Sequence, residues 1–509
     1  MADHLRFELT LGERAPGARR REEAPLRILV LGDFSLPGAE ERTPLASRRP
    51  REVDVDRLDG FLAGLGAVLE LPAAIGEAAG ARLEVRSLED LHPDAIYRRL
   101  MVFRPLEELR RRLESRDGFV EAAGEVRRLV QGSVAHGPLE PVARAVPAPP
   151  AAAAETNDAT LARLLGARPA RVVPVATSAA GQIIREAVGP HVVPPAPAER
   201  DVYLAALDEM AGTAMRALLR SPPVRALEAR WRSLQWLVSS LETGEALTLH
   251  VLDLTRAELA ADLSAAGAVL RDSALYRLLV EQGVESAGGE PWSFIVADFD
   301  FGARAADAWL LGALGAVASR AGGPVLAAAH PTLLGCVSAA DLPEPSRWGP
   351  LHAEAETAWR ALRSSPWARW VGLALPRVLL RLPYGRRTEP VNAFAFEEVA
   401  DPGDRETFVW GNPAYAAALL LGRAFEASGW GFTPGDVLDL GDLPAYAYGA
   451  DGDTHLLPCA EVYMGERAAD AVLARGAMPL LSYRDRPAVR LARFESLADP
   501  PAALAGPWG

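Results

Sequence analysis

The chain contains 509 residues, 49% of them hydrophobic and 24% charged, and its formal net charge is −13. A length of this order fits about two to four packed domains. The negative charge disfavours a broad nucleic-acid interface, because affinity for nucleic acid depends on Lys and Arg side chains that neutralise phosphates. All 54 basic residues are arginine. The absence of lysine excludes a P-loop NTPase, a protein kinase and a pyridoxal-phosphate enzyme, each of which needs a lysine at its site.

Cys336 and Cys459 are the two cysteines of the chain. Two are too few for a disulfide framework or for a zinc site built from cysteines, so we expect a reducing, cytoplasmic compartment. The N-terminus carries charged residues where a signal peptide needs an apolar core, and no stretch of about 18 apolar residues occurs. The sequence therefore predicts neither a secretion signal nor a membrane span.

The N-terminal region predicts an arm-like strand followed by a core strand. Between residues 4 and 13, apolar residues alternate with polar ones in the period of a half-buried strand; they are Leu5, Phe7, Leu9 and Leu11. A charged stretch with Gly and Pro separates this arm from the apolar run 26–32, so the arm is able to pair with the sheet edge of a neighbour. Farther on, residues 105–119 alternate in charge, which is typical of a solvent-exposed helix face.

Residues 141–157 are rich in Pro and Ala without apolar periodicity, and they predict a linker. A second, weaker break falls at 190–200. Beyond it, apolar residues at steps of three and four predict two packed helices, the second of which contains Trp231.

Strands then alternate with helices between residues 246 and 330. The run "ALTLHVLDL" alternates as a strand does, and Thr255 with Glu258 forms a capping box that opens the next helix. The runs 293–297 and 324–330 predict two buried strands around an apolar helix. This order predicts an α/β protein with mixed sheets flanked by helices.

Two aspartates follow similar apolar runs, Asp33 in "RILVLGDFS" and Asp298 in "SFIVADFDF". They could form a general acid/base pair, since carboxylates work in pairs. The repeated context favours a scaffold role, in which each carboxylate accepts loose backbone N–H groups at the end of a core strand in one of two related α/β halves. His330 follows a buried strand, where α/β sheets often bind ligands. A structural role before Pro331 is the favoured interpretation.

No motif indicates a metal or a cofactor. The eight histidines show no paired metal spacing. The run "DGDTH" at 451–455 lacks the later residues of a calcium loop, which favours a turn between strands. Neither a nucleophile elbow nor a dinucleotide-binding glycine motif is present. We therefore expect no catalytic residues, no cofactor and no metal.

The segment 371–415 carries Arg377 and Arg381 inside an otherwise apolar run. Arginines in such a run are costly unless each is paired, and Glu397 and Glu398 are the expected partners. A buried Arg–Glu network that holds the fold is favoured over an anion-binding site.

Several long motifs resemble the large subunit of the type VI secretion contractile sheath, the TssC or VipB type. They occur in consistent order over most of 201–490 and include Trp231 and Trp410; the motifs are "VRALEARWRSLQWLV", "SALYRLLVEQ", "GGEPWSFIVADFDF", "VGLALPRVLLRLPYG" and "FVWGNPAYAAALLLGRAFEASGW". Over about 5–115, "PLRILVLGDFS" and "VDVDRLDGFLAGL" resemble the small subunit, the TssB or VipA type. The resemblance implies a small-subunit-like domain over 1–140, a linker and leading segment over 141–200, and a large-subunit-like domain over 201–509.

The resemblance implies a structural protein and its partners. In this family, small and large subunits pair and assemble into a helical tube around an inner tube, and a non-closing contact repeated between subunits builds such a filament. The implied partners are other sheath subunits, the inner tube protein, the baseplate and an AAA+ unfoldase. The candidate structural or assembly residues are both aspartates and both tryptophans, together with Arg377, Arg381, Glu397 and Glu398.

The resemblance departs from the family pattern at the C-terminal end, where the family's large subunit continues into a further region. The expected role therefore covers both a sheath subunit and an accessory protein that caps, nucleates or docks onto a sheath. Residues 158–166 match the family's unfoldase-binding helix only loosely. The alternatives are a non-catalytic adaptor on the same fold and an α/β enzyme that uses Asp33, Asp298 or His330.

Overall fold

The computed structural model describes residues 24–35, 42–71, 81–115, 118–135, 197–450 and 453–508. The predicted arm with Leu5, Phe7, Leu9 and Leu11, the linker 141–157 and the loosely matching helix 158–166 lie outside the described residues. The chain divides into two compact units: residues 105–209 form one, and residues 1–104 with 210–509 form the other.

The larger unit contains all the strands of the described residues. In chain order they are β1 Leu26–Gly32, β2 Arg51–Glu52, β3 Ala67–Glu70, β4 Arg82–Val85, β5 Leu247–Asp253, β6 Phe294–Phe301, β7 Val325–Ala329, β8 Val371–Leu375, β9 Val378–Leu379, β10 Trp410–Gly411, β11 Asp439–Leu440, β12 Ala447–Ala450, β13 Asp453–Leu456, β14 Met478–Ser482 and β15 Val489–Leu491.

The longer helices of the described residues are α1 Leu58–Ala63, α2 Pro93–Arg99, α3 Arg104–Glu114, α4 Phe119–Ala135, α5 Pro197–Leu219, α6 Pro222–Ser240, α7 Arg256–Ala266, α8 Ala305–Ala321, α9 Ala353–Arg363, α10 Pro413–Ser428 and α11 Glu466–Ala474. The predicted capping box opens α7: Glu258 N donates to Thr255 Oγ1 at 3.0 Å, and Thr255 N donates to Glu258 Oε2 at 2.8 Å. A helical turn at Ala274–Tyr276 continues as a π-helix over Arg277–Glu281.

A nine-stranded mixed sheet forms the centre of the larger unit, in the order β11-β15-β14-β8-β7-β6-β1-β5-β2. Strand β1 lies inside it, parallel to β5 from Leu26 opposite Leu247 to Gly32 opposite Asp253. On its other side β1 is parallel to β6, where Ile28 to Leu31 face Phe294 to Ala297. Such a strand needs apolar side chains on both faces, which the run "LRILVLG" supplies. The prediction of a mixed α/β fold with helix-flanked strands is confirmed.

The structure corrects the idea of two related halves. Strands β1 and β6, which carry the two similar apolar runs, are direct neighbours in one sheet. Asp298 does not follow its strand but lies within β6, where the register with β7 shifts between Val296 and Asp300. Two strands with similar sequences have a similar pattern of burial. Neighbouring strands of one sheet meet this condition just as corresponding strands of two separate sheets would, so the similarity did not imply two halves.

Helices cover both faces of the sheet. On one face, α7, α8, α9 and the π-helix pack on Leu29, Leu31 and their neighbours in one large core. On the other face, α10 packs against β6, β7, β8 and α6. Both α8 and α10 are buried along most of their length, so this part of the unit has a thick apolar interior.

In the smaller unit, residues 105–209, α3 and α4 pack with the first half of α5. Arg112 forms ion pairs with Glu125 at 3.1 Å, and Arg110 pairs with Asp208. Arg127 Nε donates to Tyr203 Oη at 2.6 Å. In the parts of the chain that the structure describes, no helix combines the length and the apolar character that crossing a bilayer requires.

Candidate functional site

The first site lies at the end of β1, where residues distant in sequence form hydrogen bonds to the turn that follows the strand. Asp253, at the end of β5, accepts from Phe34 N at 2.7 Å, Ser35 N at 3.2 Å and Ser35 Oγ at 2.6 Å. The indole Nε1 of Trp231, a fully buried residue of α6, donates to Phe34 O at 2.9 Å. The backbone polar groups that follow β1 thus find partners in the later part of the chain.

Asp33 does not hold the backbone N–H groups that the sequence analysis assigned to it, because Asp253 accepts them. Asp33 forms an ion pair with Arg42, whose Nη1 also reaches Glu258 Oε2 at 3.1 Å. Arg48 pairs with the same glutamate. Burial raises the pKa of Glu258, but hydrogen bonds from Arg48 and Thr255 and the charges of Arg48 and Arg42 outweigh it and lower the pKa to about 2. This cluster ties Asp33, Arg42 and Arg48 to the start of α7.

The second site is a buried charge network around Arg381, whose side chain is 5% exposed. Its guanidinium contacts both oxygens of Glu228, at 2.6 and 3.2 Å, and both oxygens of Glu398, at 2.7 and 3.0 Å. Arg232 adds a contact to Glu228 at 2.8 Å, and Tyr384 N donates to Glu398 at 2.8 Å. Desolvation opposes the charge of Glu228, but the two arginines lower its pKa to about 2. The predicted pairing of Arg381 with Glu398 is present. The other carboxylate that Arg381 contacts, Glu228, comes from α6.

Arg377 does not join this network. It pairs with Glu461 at 2.5 Å and with Glu406 at 3.1 Å. Glu397, one of the two glutamates expected to pair with these arginines, is exposed and accepts from Arg386 N at 3.1 Å. The alternation of burial along 394–398 explains the difference: Glu398 faces inward, so its neighbour faces outward.

Helix α2 contacts the segment next to this network. Asp94 accepts from Asn392 N at 3.0 Å and Ala393 N at 2.8 Å. Burial raises the pKa of Asp94, but these hydrogen bonds outweigh it and lower the pKa below its ordinary value. The His92 ring packs edge-on to Tyr384 with centroids 4.9 Å apart. Sequence analysis missed both residues, and their signal was "HPD" at 92–94, a helix start with Pro at the first position.

A third site is a cleft of about 980 Å³ at the carboxyl ends of β6, β7 and β8, whose lining includes Asp298, His330, Arg377 and Trp410. Asp33 is not among the residues that line it. Asp298 is buried, which raises the pKa of its carboxyl, and it accepts from Tyr415 Oη at 3.2 Å. His330 Nδ1 lies 2.9 Å from Thr332 Oγ1 and caps the turn that follows β7. Trp410 is buried and its Nε1 donates to Arg405 O at 2.8 Å.

Comparison with known proteins identifies relatives of both parts of the chain. Residues 201–497 match the VipB family, described as the EvpB tail sheath N-terminal domain. Residues 2–137 match the VipA family of type VI secretion systems. The type VI secretion system sheath protein TssC1 of Pseudomonas aeruginosa is 33% identical over 303 residues, which are 58% of this chain and 61% of that protein. The chain thus spans less than two thirds of this relative's length.

These matches confirm the resemblance drawn from the sequence motifs and give it boundaries. The VipB match covers more than half of the chain, and the VipA match ends before it begins. The chain therefore belongs to the VipB tail sheath family, and it carries a VipA-like sequence ahead of the VipB-like sequence in one polypeptide.

Proposed function

We propose that this chain is a sheath building block of a type VI secretion system, in which small-subunit-like and large-subunit-like parts form one folded unit. The observation that carries the proposal is the position of β1. This strand comes from the VipA-like sequence, yet it lies between β5 and β6 of the VipB-like sequence and pairs with both. Removing it would separate β5 from β6 in the middle of the sheet.

The contacts outside the sheet support the same proposal. The capping of Phe34 and Ser35 by Asp253, the Trp231 bond and the Asp94 contacts all join residues of the VipA-like part to the VipB-like part. Buried polar groups that find partners only across this seam would be left unsatisfied in either part alone.

Assembly follows from the family rather than from a surface seen in this chain. We propose that the chain packs in the cytoplasm with further copies or with separate sheath subunits, and that the predicted arm at residues 4–13 takes part. Contacts with an inner tube protein, a baseplate and an AAA+ unfoldase belong to this proposal, as do the domain boundaries 1–140, 141–200 and 201–509. Because the chain matches 61% of TssC1, polymerisation itself needs a direct test.

Electron microscopy of the purified full chain, alone and mixed with separate sheath subunits, provides that test. Helical tubes that contain the chain would support a sheath subunit. Binding only at the ends of tubes formed by the other subunits would assign the capping or nucleating role. Failure to enter or bind any such tube would overturn the proposal.

A second experiment tests whether the small-subunit-like and large-subunit-like parts form one folded unit. A protease site placed near residue 150, in the predicted linker, allows the chain to be cut after folding. We expect the two fragments to co-elute at equal stoichiometry in size-exclusion chromatography and to separate only in denaturant. Fragments that separate in native buffer would contradict a shared sheet.

A further inference from the structure

Strands β12 and β13 form a two-stranded antiparallel hairpin that is separate from the nine-stranded sheet. Leu457 N, directly after β13, donates to Tyr446 O at 2.8 Å. Hydrogen-bonded and non-hydrogen-bonded pairs alternate along an antiparallel ladder, so the backbone N–H and C=O groups of Tyr448 also point at β13. Those of Ala447 and Gly449 therefore point away from β13, along the outer edge of the hairpin.

This outer edge of β12 is open. Ala447 and Gly449 are exposed, and within the described residues β13 is the one strand that pairs with β12. Tyr446 and Tyr448 pack against the buried cluster that contains Phe408, which holds the strand in place. The small side chains at the outward positions let a second strand approach to the usual spacing of about 4.8 Å. An unpaired edge of this kind is a template for a strand of another chain.

The edge of β12 differs from the two edges of the nine-stranded sheet, which carry charged residues. At one edge, β2 consists of Arg51 and Glu52, and both are exposed. At the other edge, β11 begins with the exposed Asp439. Charged side chains on an edge strand discourage pairing with another chain. The run 443–450, "LPAYAYGA", contains no charged residue, so β12 lacks this protection.

The edge of β12 is complementary to itself. A two-fold axis at Tyr448 places Ala447 opposite Gly449 of a second copy and Gly449 opposite Ala447 of that copy, so the outward backbone groups of these residues form four hydrogen bonds. The two Tyr448 side chains then lie side by side in a non-hydrogen-bonded pair, where aromatic pairs are stabilising. A two-fold contact also brings each charge near its own copy, so an edge without charges is the kind that pairs with itself without repulsion.

We propose that the unassembled chain forms a two-fold dimer through β12, in which the hairpins of two copies join into one four-stranded antiparallel sheet. The contact goes beyond the proposed function, because a two-fold contact closes after two copies, whereas a tube needs a contact that does not close. The paired edge is short, so we expect a weak dimer that depends on protein concentration. Because each copy carries a net charge of −13, the dimer should become tighter as salt is added.

Disulfide trapping on the full chain tests the proposal. In the Tyr448→Cys variant, the two new thiols face each other across the axis with Cα atoms about 4.5 Å apart, a separation that a disulfide spans. Cys336 and Cys459 are buried, and burial raises the pKa of each thiol to about 11, so both react slowly. Thr454→Cys, at an exposed position of β13, is the matched control. We expect covalent dimers of Tyr448→Cys to form at least about tenfold faster than those of the control, and equal rates would overturn the proposal.

Proline substitutions assign the contact to one edge of the hairpin. Ala447→Pro removes an outward N–H group but no hydrogen bond to β13, so the hairpin should persist and the dimer should be lost. Thr454→Pro makes the same change on the outer edge of β13 and should leave the dimer intact. Sedimentation velocity of the wild-type chain and both variants at rising concentration measures dimer formation, and circular dichroism verifies folding. Dimers of Ala447→Pro as abundant as those of the wild type would contradict the proposal. A chain that enters sheath tubes but stays monomeric in isolation would overturn the dimer and leave the proposed function standing.

Discussion

Trp231 and Phe34 are 197 positions apart in the sequence, yet the indole N–H of one donates to the carbonyl oxygen of the other at 2.9 Å. The bond fastens α6 to the turn that follows β1, and the ring of Phe34 is itself fully buried. This single contact joins the VipB-like sequence to the VipA-like sequence inside the core.

Trp231→Phe keeps a large aromatic side chain but removes this donor. We expect a loss of about 1–3 kcal/mol in the free energy of unfolding, because Phe34 O is left buried without its partner. Urea unfolding followed by circular dichroism measures the change. Trp236→Phe, on the same helix but half-buried, is the control and should change stability by less than about 0.5 kcal/mol.

Asp253→Ala should release the backbone amides of Phe34 and Ser35. Their hydrogen exchange should become faster, and stability should fall by about 1–3 kcal/mol, since two N–H groups and a hydroxyl lose one acceptor. Asp33→Ala is the matched variant and should leave exchange at these two amides slow, because Asp33 pairs with Arg42 instead. Faster exchange in the Asp33 variant alone would restore the role that the sequence pattern assigned to that residue.

Arg381→Met should be among the most damaging single changes in the chain. It leaves the buried carboxylates of Glu228 and Glu398 side by side without their common cation, which costs about 3–5 kcal/mol. Arg360→Met removes an exposed pair with Glu356 and should cost less than about 1 kcal/mol. Chemical unfolding of the two variants measures the contrast, and similar losses in both would contradict a role for burial.

Because His250 is buried, we expect the free energy of unfolding of the chain to decrease as the pH falls from 7 to 5. Burial lowers its pKa to about 4 in the folded chain, helped by the charge of Arg27 and opposed by Glu52. Because the unfolded chain binds a proton near pH 6.5 and the folded chain does not, stability falls as pH drops through this window. After allowance for partial solvent screening, we expect about 1 kcal/mol.

The His250→Leu variant should flatten this part of the stability profile, whereas His352→Leu, at an exposed position, should not. Glu228 and Glu258 act at lower pH. Their folded pKa values of about 2 lie below the ordinary 4.5, so their contribution is lost only as pH falls below about 4.5. A wild-type profile that is flat from pH 7 to 5 would contradict the burial of neutral His250.

Asp94→Ala should loosen the contact between α2 and the segment that follows Pro390. Amide exchange at Asn392 and Ala393 should become faster, because both amides lose the same carboxylate acceptor. Asp59→Ala, at an exposed position of α1, is the control and should leave exchange at 392–393 unchanged. Unchanged exchange in the Asp94 variant would show that other contacts hold this segment.

Local features of the fold were accessible from the sequence. The strands at 26–32, 247–253 and 325–329, the first half of the strand 294–301, the capping box at α7 and the helices α5, α6 and α8 follow from periodicity and from residues close in sequence. The partners of these elements did not follow. Periodicity reports which face of a strand is buried, but it does not identify the strand alongside, so the position of β1 between β5 and β6 stayed hidden.

The charge network shows the same limit at the level of side chains. The need for a partner at Arg381 could be derived from its apolar surroundings, and Glu398 is near in sequence. Glu228 is 153 positions away on α6 and has no local signature. The assignment of backbone capping to Asp33 was wrong for a related reason: Asp253, at the end of the adjacent strand, accepts from the same N–H groups, and Asp33 pairs with Arg42.

The central place of β1 also bears on how the chain is synthesised. The ribosome releases this strand long before its two neighbours, which begin at Leu247 and Phe294. Until then an apolar strand has both edges unpaired, which invites aggregation, and a fold with such distant pairings closes slowly. Tethering both parts in one molecule sets their ratio at one to one during translation and keeps the missing strand within reach when β5 and β6 appear.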